Sequence, residues 1–155
     1  MNTIATDTKE LILNVAERQF AEKGYAGTTL RGLIKEAEVN IAAVHYHFGS
    51  KEELFIAVVR RVAEQMVPDQ LQHLAKYENQ DEPPSVENIM EAFFAPPLRM
   101  LSQMGESGII RAQFVGRSRV EPLPIQVLAD KQFYESQKRF LDNLQRAYPN
   151  QTRLE

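Results

Sequence analysis

Asn40-Ile41-Ala42-Ala43-Val44-His45-Tyr46-His47-Phe48-Gly49-Ser50-Lys51-Glu52-Glu53-Leu54 contains two helix starts and a stop within fifteen residues. Asn40 carries the side-chain acceptor that an N-cap needs. Phe48-Gly49 closes the helix it opens. Ser50 and Glu53 have the spacing of a capping box, in which each side chain satisfies the other residue's backbone N–H. Between these signals lies a helix of only seven residues, Ile41–His47.

Upstream, Leu30, Leu33, Ile34 and Ala37 recur at i, i+3, i+4 and i+7, a short amphipathic helix that Thr28 or Thr29 can cap. Residues 38–40 connect the two. Eight helical residues, a turn of three and seven more form a helix-turn-helix pattern. Its second helix must pack one face on the first and leave the other free for a major groove about 12 Å wide. Ala43, Val44 and Phe48, with Val39 in the turn, supply the packed face, and Ile41, Ala42, His45 and Tyr46 remain for the groove. Small Ala42 allows close approach. The N-termini of the helices over 30–37 and from Ser50 present unpaired N–H groups suited to phosphates.

The rest of the chain also reads at helical period. Asp7 or Thr8, with Glu10, can cap a first helix whose stripe is Leu11, Ile12, Val15, Ala16 and Phe20. Gly24 should end it, because glycine enters the left-handed region without steric cost. Beyond Ser50 the stripe is Leu54, Phe55, Val58, Val59, Val62 and Met66, which Pro68 should kink or end, with a continuation toward Tyr77. Residues 78–84 read as a linker. Ser85 caps a helix that Pro96-Pro97 should interrupt, Gly105–Gly108 is a break before a segment over 109–116, and the last pattern runs from Phe133 to Tyr148. No strand-like alternation is visible, so the expected fold class is all-α. Residues 1–49 form the helix-turn-helix domain, and residues 50–155 a helical effector and dimerisation domain entered through a connecting fourth helix.

Composition narrows the function classes. The 155 residues include no cysteine, which excludes disulfides, thiolate chemistry and cysteine-based zinc sites. The net charge is −3, and residues 1–61 carry eight Lys/Arg and eight Asp/Glu, so any nucleic-acid binding must rest on placement and helix dipoles. No apolar run reaches the roughly 20 residues of a membrane span, and residues 1–10 lack an apolar stretch of signal type. The expected location is the cytoplasm, with no membrane partner.

At Ala21-Glu22-Lys23-Gly24-Tyr25, Thr28-Thr29, Ala37, Val39 and then Val44-His45-Tyr46-His47-Phe48-Gly49-Ser50-Lys51-Glu52-Glu53-Leu54, the chain resembles the DNA-binding domain of tetracycline-repressor-type (TetR family) regulators. The ordered string Tyr-His-Phe-x-Ser-Lys-x-x-Leu carries most of the likeness, which covers roughly residues 8–60. Two departures stand out. Glu38 occupies a turn position where the family usually has Gly, which a Glu fits only at negative φ or with strain. His45 stands where the family often has Tyr or Asn, so base preference there is not transferable.

The resemblance implies a sequence-specific DNA-binding transcription regulator, a homodimeric repressor of a pseudo-palindromic operator released by a small molecule that moves the fourth helix. It places Thr28 or Thr29, Tyr46, His47 and Lys51 near phosphates and Ile41, Ala42, Ala43 and His45 toward bases, with Asn40 at the helix start. Lys51 opposes the dipole of the helix it opens, and a phosphate partner would explain it. The apolar set Met66, Phe93, Phe94, Met104 and Phe114 is the candidate ligand pocket, suited to an apolar or weakly polar molecule, with ordinary core as the rival reading. Members of the family run longer, so the expectation is a C-terminally truncated chain.

Rival readings are a helical ligand-binding or protein-interaction module without DNA binding, and a helical enzyme. For an enzyme the sequence offers no nucleophile–base pair. His45 and His47 point about 200° apart on a helix and cannot share a metal, so no metal, cofactor or catalytic residue is expected. Arg111, Arg117 and Arg119 read as solvated surface, or as a receiver for an acidic ligand or partner.

Overall fold

The computed structural model describes residues 3–78 and 80–149, with side chains from Thr8 onward. Seven helices make up the described residues: α1 (Thr3–Gly27), α2 (Leu30–Ala37), α3 (Ile41–Phe48), α4 (Lys51–Glu78), α5 (Val86–Gln103), α6 (Glu106–Ser118) and α7 (Ile125–Ala147). The all-α expectation holds. No helix among the described residues is long and apolar enough to cross a membrane.

Local signals place most boundaries. Thr29, Asn40 and Ser85 each sit in extended backbone and accept a hydrogen bond from the N–H three residues on, at 3.1, 2.9 and 3.2 Å. The Ser50–Glu53 box is reciprocal, at 3.0 and 3.1 Å. Gly24 breaks α1 at φ 72°, as its position implies, and one more turn follows. A Cβ there would lie 2.9 Å from the ends of the Arg117 and Glu121 side chains, which would have to shift, so it is the positive φ that favours glycine.

Other boundaries differ from the sequence reading. α1 already runs from Thr3, so Asp7 and Thr8 lie within it and not at its start; the Asp7 side chain lies outside the described residues. α4 continues through Pro68, and α5 through Pro96-Pro97. The physical reason is visible for Pro97. Lacking an N–H, it leaves the Phe93 carbonyl four residues back without its helical donor, and buried Gln70 of α4 donates to that oxygen at 2.9 Å. Gly105 makes the break before α6, whereas Gly108 is inside α6, where a Cβ would fall 1.9 Å from the Leu101 carbonyl oxygen. α7 starts eight residues before Phe133.

One core runs from the N-terminal helices into the body. Phe20 of α1 meets Phe55 of α4 edge-on at 5.1 Å between centroids, and Phe114 of α6 closes on Phe55 at 5.9 Å. Leu33, Val44 and Phe48 from α2 and α3 join the same cluster. A second, smaller cluster of Leu74, Ile89 and Ala92 with Phe93, Phe140 and Leu144 joins the far ends of α4, α5 and α7.

Buried ion pairs pin α1 to the body. Glu17 takes a two-pronged bond from Arg111 of α6, at 2.7 and 3.0 Å, and a further bond from Arg61 of α4. Arg117 donates to the Glu22 carbonyl near the end of α1 at 3.2 Å, and Arg119 pairs with Asp130 at 2.7 Å over the Phe133 ring. Of the late arginines read as solvated surface, Arg111 is a buried strut, while Arg117 and Arg119 stay at the surface and tie helices together there. Their role is invisible in sequence because each partner is distant in the chain or on another helix.

Candidate nucleic-acid interface

α3 is held from behind and bare in front. Val44 is fully buried and Phe48 nearly so, both packed on the α1–α4 core, while Ile41, Ala42, His45 and Tyr46 are exposed. Tyr46 is 84% exposed, a large surface for an aromatic residue to leave in water. Ala43 is half-buried against the core, so its side chain sides with Val44. The base-facing role carried over for Ala43 therefore rests on the resemblance, since its half-buried side chain leans toward the core.

His45 is exposed, and its Nδ1 lies 2.7 Å from the Gly49 carbonyl oxygen. A carbonyl can only accept, so Nδ1 carries the proton, and in the neutral ring Nε2 is a bare acceptor. His47 is half-buried between the Tyr46 and Phe48 rings and has no hydrogen-bond partner among the described residues. Asn40 spends its Oδ1 on capping Ala43.

The two threonines divide. Thr28 is fully buried, and its hydroxyl donates to the Gly24 carbonyl at 2.8 Å, which bridges the kink of α1. It is structural, and the phosphate role proposed for it is corrected by its burial. Thr29 is exposed at the start of α2.

Lys51 is half-buried. Its ammonium donates to the Thr28 carbonyl at 2.8 Å and lies 4.2 Å from the centre of the Tyr25 ring. Burial holds its pKa below the ordinary lysine value, with Glu121 opposing that shift. The unfavourable position of Lys51 on the helix dipole is thus compensated inside the protein, and a phosphate is not needed to explain it. Two of its three N–H donors remain uncommitted to the Thr28 bond. Tyr25 is positioned in turn by Glu121, whose carboxylate accepts its backbone N–H at 2.8 Å.

The turn between α2 and α3 contains a strained residue. Glu38 has φ 52° and ψ 33°, the left-handed conformation, and its N–H bonds back to the Ile34 carbonyl. Of the two ways a Glu could fit here, the chain uses the strained one.

Sequence reading missed Arg31. It is exposed on α2, opposite the Leu33–Ala37 stripe, and has no hydrogen bond or ion pair among the described residues. Its place two residues past the Thr29 cap was the available signal.

The five candidate pocket residues do not converge. Met66 and Phe114 belong to the main core, Phe93 packs on Phe140 at 4.3 Å in the second cluster with half-exposed Phe94 beside it, and the Met104 sulfur lies against Arg111. The apolar character read as a pocket is that of helix packing. Among the described residues no group of three or more His, Asp or Glu side chains is arranged to hold a metal.

A short helix with one buried and one bare face, set across a tight turn from another and joined to a helical body, defines a helix-turn-helix head. Comparisons with known proteins agree. The family model for bacterial regulatory proteins of the tetR family matches residues 12–58, and the tetracyclin repressor-like C-terminal domain matches residues 91–155. The HTH-type transcriptional repressor AcnR of Corynebacterium glutamicum is 43% identical over 61 residues, 39% of this chain and 32% of that protein. The HTH-type transcriptional regulator LmrA of Bacillus subtilis is 42% identical over 59 residues, 37% of this chain and 31% of that protein. The matched stretch thus spans about a third of the length of these curated relatives. The hemolysin II transcriptional regulator HlyIIR superposes with a TM-score of 0.65 at 24% identity, covering 94% of this chain and 75% of that one. A transcriptional regulator from Aquifex aeolicus gives 0.63 at 21% identity, covering 92% and 74%. At those identities the likeness is one of fold. The chain belongs to the TetR family.

Proposed function

We propose that this chain is a sequence-specific DNA-binding transcription regulator, acting as a repressor, with α3 in the major groove. The observation that carries the reading is the division of α3: Val44 and Phe48 are buried behind it, and Ile41, Ala42, His45 and Tyr46 are bare in front. The names of the relatives matched over this head, transcriptional repressors and regulators, support it.

Roles follow from chemistry. Ile41 and Ala42 supply apolar contact to base edges and His45 a polar one. Thr29, Arg31, Tyr46, His47 and Lys51 hold phosphates and set register, with Asn40 fixing the start of the reading helix. Two copies read the halves of a pseudo-palindrome, centres about one helical turn or a multiple apart. Association of two copies is supported by Val127, Tyr134, Leu141 and Tyr148, exposed large side chains at seven-residue spacing along α7 and just past its end. A small effector bound in the helical body, acting through α4, completes the reading.

Selection of bound duplexes from a random pool tests it. The expected result is an enriched two-fold-symmetric site. Lys51→Ala and Arg31→Ala should each weaken all duplexes alike and lower the salt slope by roughly one unit. Failure to retain any duplex at low salt sinks the proposal.

A further inference from the structure

We propose that the cleft between the C-terminal part of α4 and the middle of α5 is a binding site for a small oxyanion, a carboxylate or phosphate of a few heavy atoms. This deepens the regulator reading above by giving its effector a chemical class, and to that extent it rests on that reading.

The cleft has a volume of about 220 Å³ and is lined by His73, Lys76 and Tyr77 of α4 and by Glu91, Ala95 and Arg99 of α5, among others. That is below the roughly 300–1,000 Å³ of drug-sized sites, so it admits only a small molecule. It brings together two cations, Arg99 and Lys76, that no carboxylate pairs with among the described residues. Arg18, Arg61, Arg111, Arg119 and Arg139 all have carboxylate partners. Arg99 has none, and its only side-chain hydrogen bond among the described residues is a long one, 3.4 Å, to His73 Nε2. The Lys76 ammonium has no partner among the described residues.

His73 explains why Arg99 is held there. Its Nδ1 donates to the Asp69 carbonyl at 2.8 Å, with the Asp69 carboxylate at 3.5 Å, so Nε2 is turned toward the guanidinium and accepts from it. One edge of Arg99 is oriented by that contact, and the remaining N–H groups are available for the two-pronged recognition that suits carboxylate and phosphate. Glu91 is the one acid in the lining, against Lys76 and Arg99, and the Asp69 carboxylate stands just outside it, on the far side of the His73 ring. Glu91 also supplies an acceptor for a hydroxyl on the bound molecule. Lys76 lies on the helix that begins at Lys51 beside the reading head, so a ligand drawing Lys76 and Arg99 together acts on the far end of that same helix.

The test uses the full chain, isothermal calorimetry, and inorganic phosphate and succinate as separate probes, at constant ionic strength set with chloride. Saturable binding of at least one probe is expected, and which one binds distinguishes a phosphate from a carboxylate ligand. Arg99→Gln and Lys76→Gln should each weaken it about tenfold or more. Both side chains are exposed, so the fold should survive, and Lys131→Gln on α7 should leave binding unchanged. Absence of saturable heat with both probes, or equal binding by all variants, overturns the site. The binding probe should also lower affinity for the selected duplex in the wild type and not in Arg99→Gln. Binding with no such change overturns the effector role. If no duplex is bound under any condition, the regulator reading fails alone, and the calorimetry still decides the site.

Discussion

Arg111 and Glu17, 94 residues apart, face each other as a buried two-pronged pair with Nε–Oε1 at 2.7 Å and Nη2–Oε2 at 3.0 Å. The pair joins α6 to α1, and Arg61 extends it to α4. The helix that carries the reading head's core is thereby tied to the body by charges with little access to water. Removing one member leaves the other buried and short of its partner, so Arg111→Met should cost about 3–5 kcal/mol. Urea unfolding checks this, and an unchanged midpoint would refute it. The exposed Lys131→Met should move the midpoint little.

Gln70 is the donor that lets α5 run through two prolines. Gln70→Leu strands the Phe93 carbonyl and should cost about 1–3 kcal/mol. Pro97→Ala restores a backbone N–H four residues after Phe93, so the same Gln70→Leu change should cost much less in that background. A double-mutant cycle measures the coupling. Strict additivity would mean that the bond to Phe93 does not compensate for Pro97.

Glu38 holds a left-handed conformation that costs a non-glycine residue about 1–2 kcal/mol. Glu38→Gly removes that strain, less the larger entropy glycine gains on unfolding. The expected net gain is about 1 kcal/mol, seen as a rise of a few degrees in Tm. A fall in Tm would show that the Glu38 side chain has a stabilising role its exposure does not suggest.

His45 offers an acceptor at Nε2, because its Nδ1–H is taken by the Gly49 carbonyl. If it faces a base, its partner in the major groove should be an exocyclic amine, adenine N6 or cytosine N4. Selected sites should carry A or C at one position per half-site, and His45→Ala should relax that position at a cost of about 1–3 kcal/mol. Guanine selected there instead would require a donor at Nε2 and contradict the neutral Nδ1–H ring as the reading form.

Glu78 closes α4 onto α7. Hydrogen bonds from Arg139 hold its pKa below the ordinary glutamate value, with burial opposing and Asn143 assisting. A carboxyl depressed in the folded state contributes stability above its unfolded pKa and loses it as pH falls through the folded one. Stability should therefore drop as pH falls below about 4.3, and Glu78→Gln should flatten that part of the profile. Thermal melts between pH 3 and pH 7 would show it, and identical slopes in both proteins would count against the assignment.

Sequence by itself determined the parts that depend on residues within about four positions of one another. The caps at Thr29, Asn40, Ser50 and Ser85, the break at Gly24 and the apolar stripes of α2, α3 and α4 are of this kind, and with them the helix-turn-helix head. A cap is one side chain and one N–H three residues on, so its chemistry is complete in a short string. Tertiary structure decided what depends on partners far along the chain. Pro97 reads as a helix breaker until Gln70, on another helix, is seen to take over its missing donor. Thr28 and Thr29 are indistinguishable as letters, and only packing around Gly24 buries the first and leaves the second in water. Arg111 and Arg99 are likewise the same residue. One is neutralised by a carboxylate 94 positions away, and the other reaches a cleft where no carboxylate pairs with it among the described residues. Charge compensation acts through space, so which cations are left over is a property of the fold.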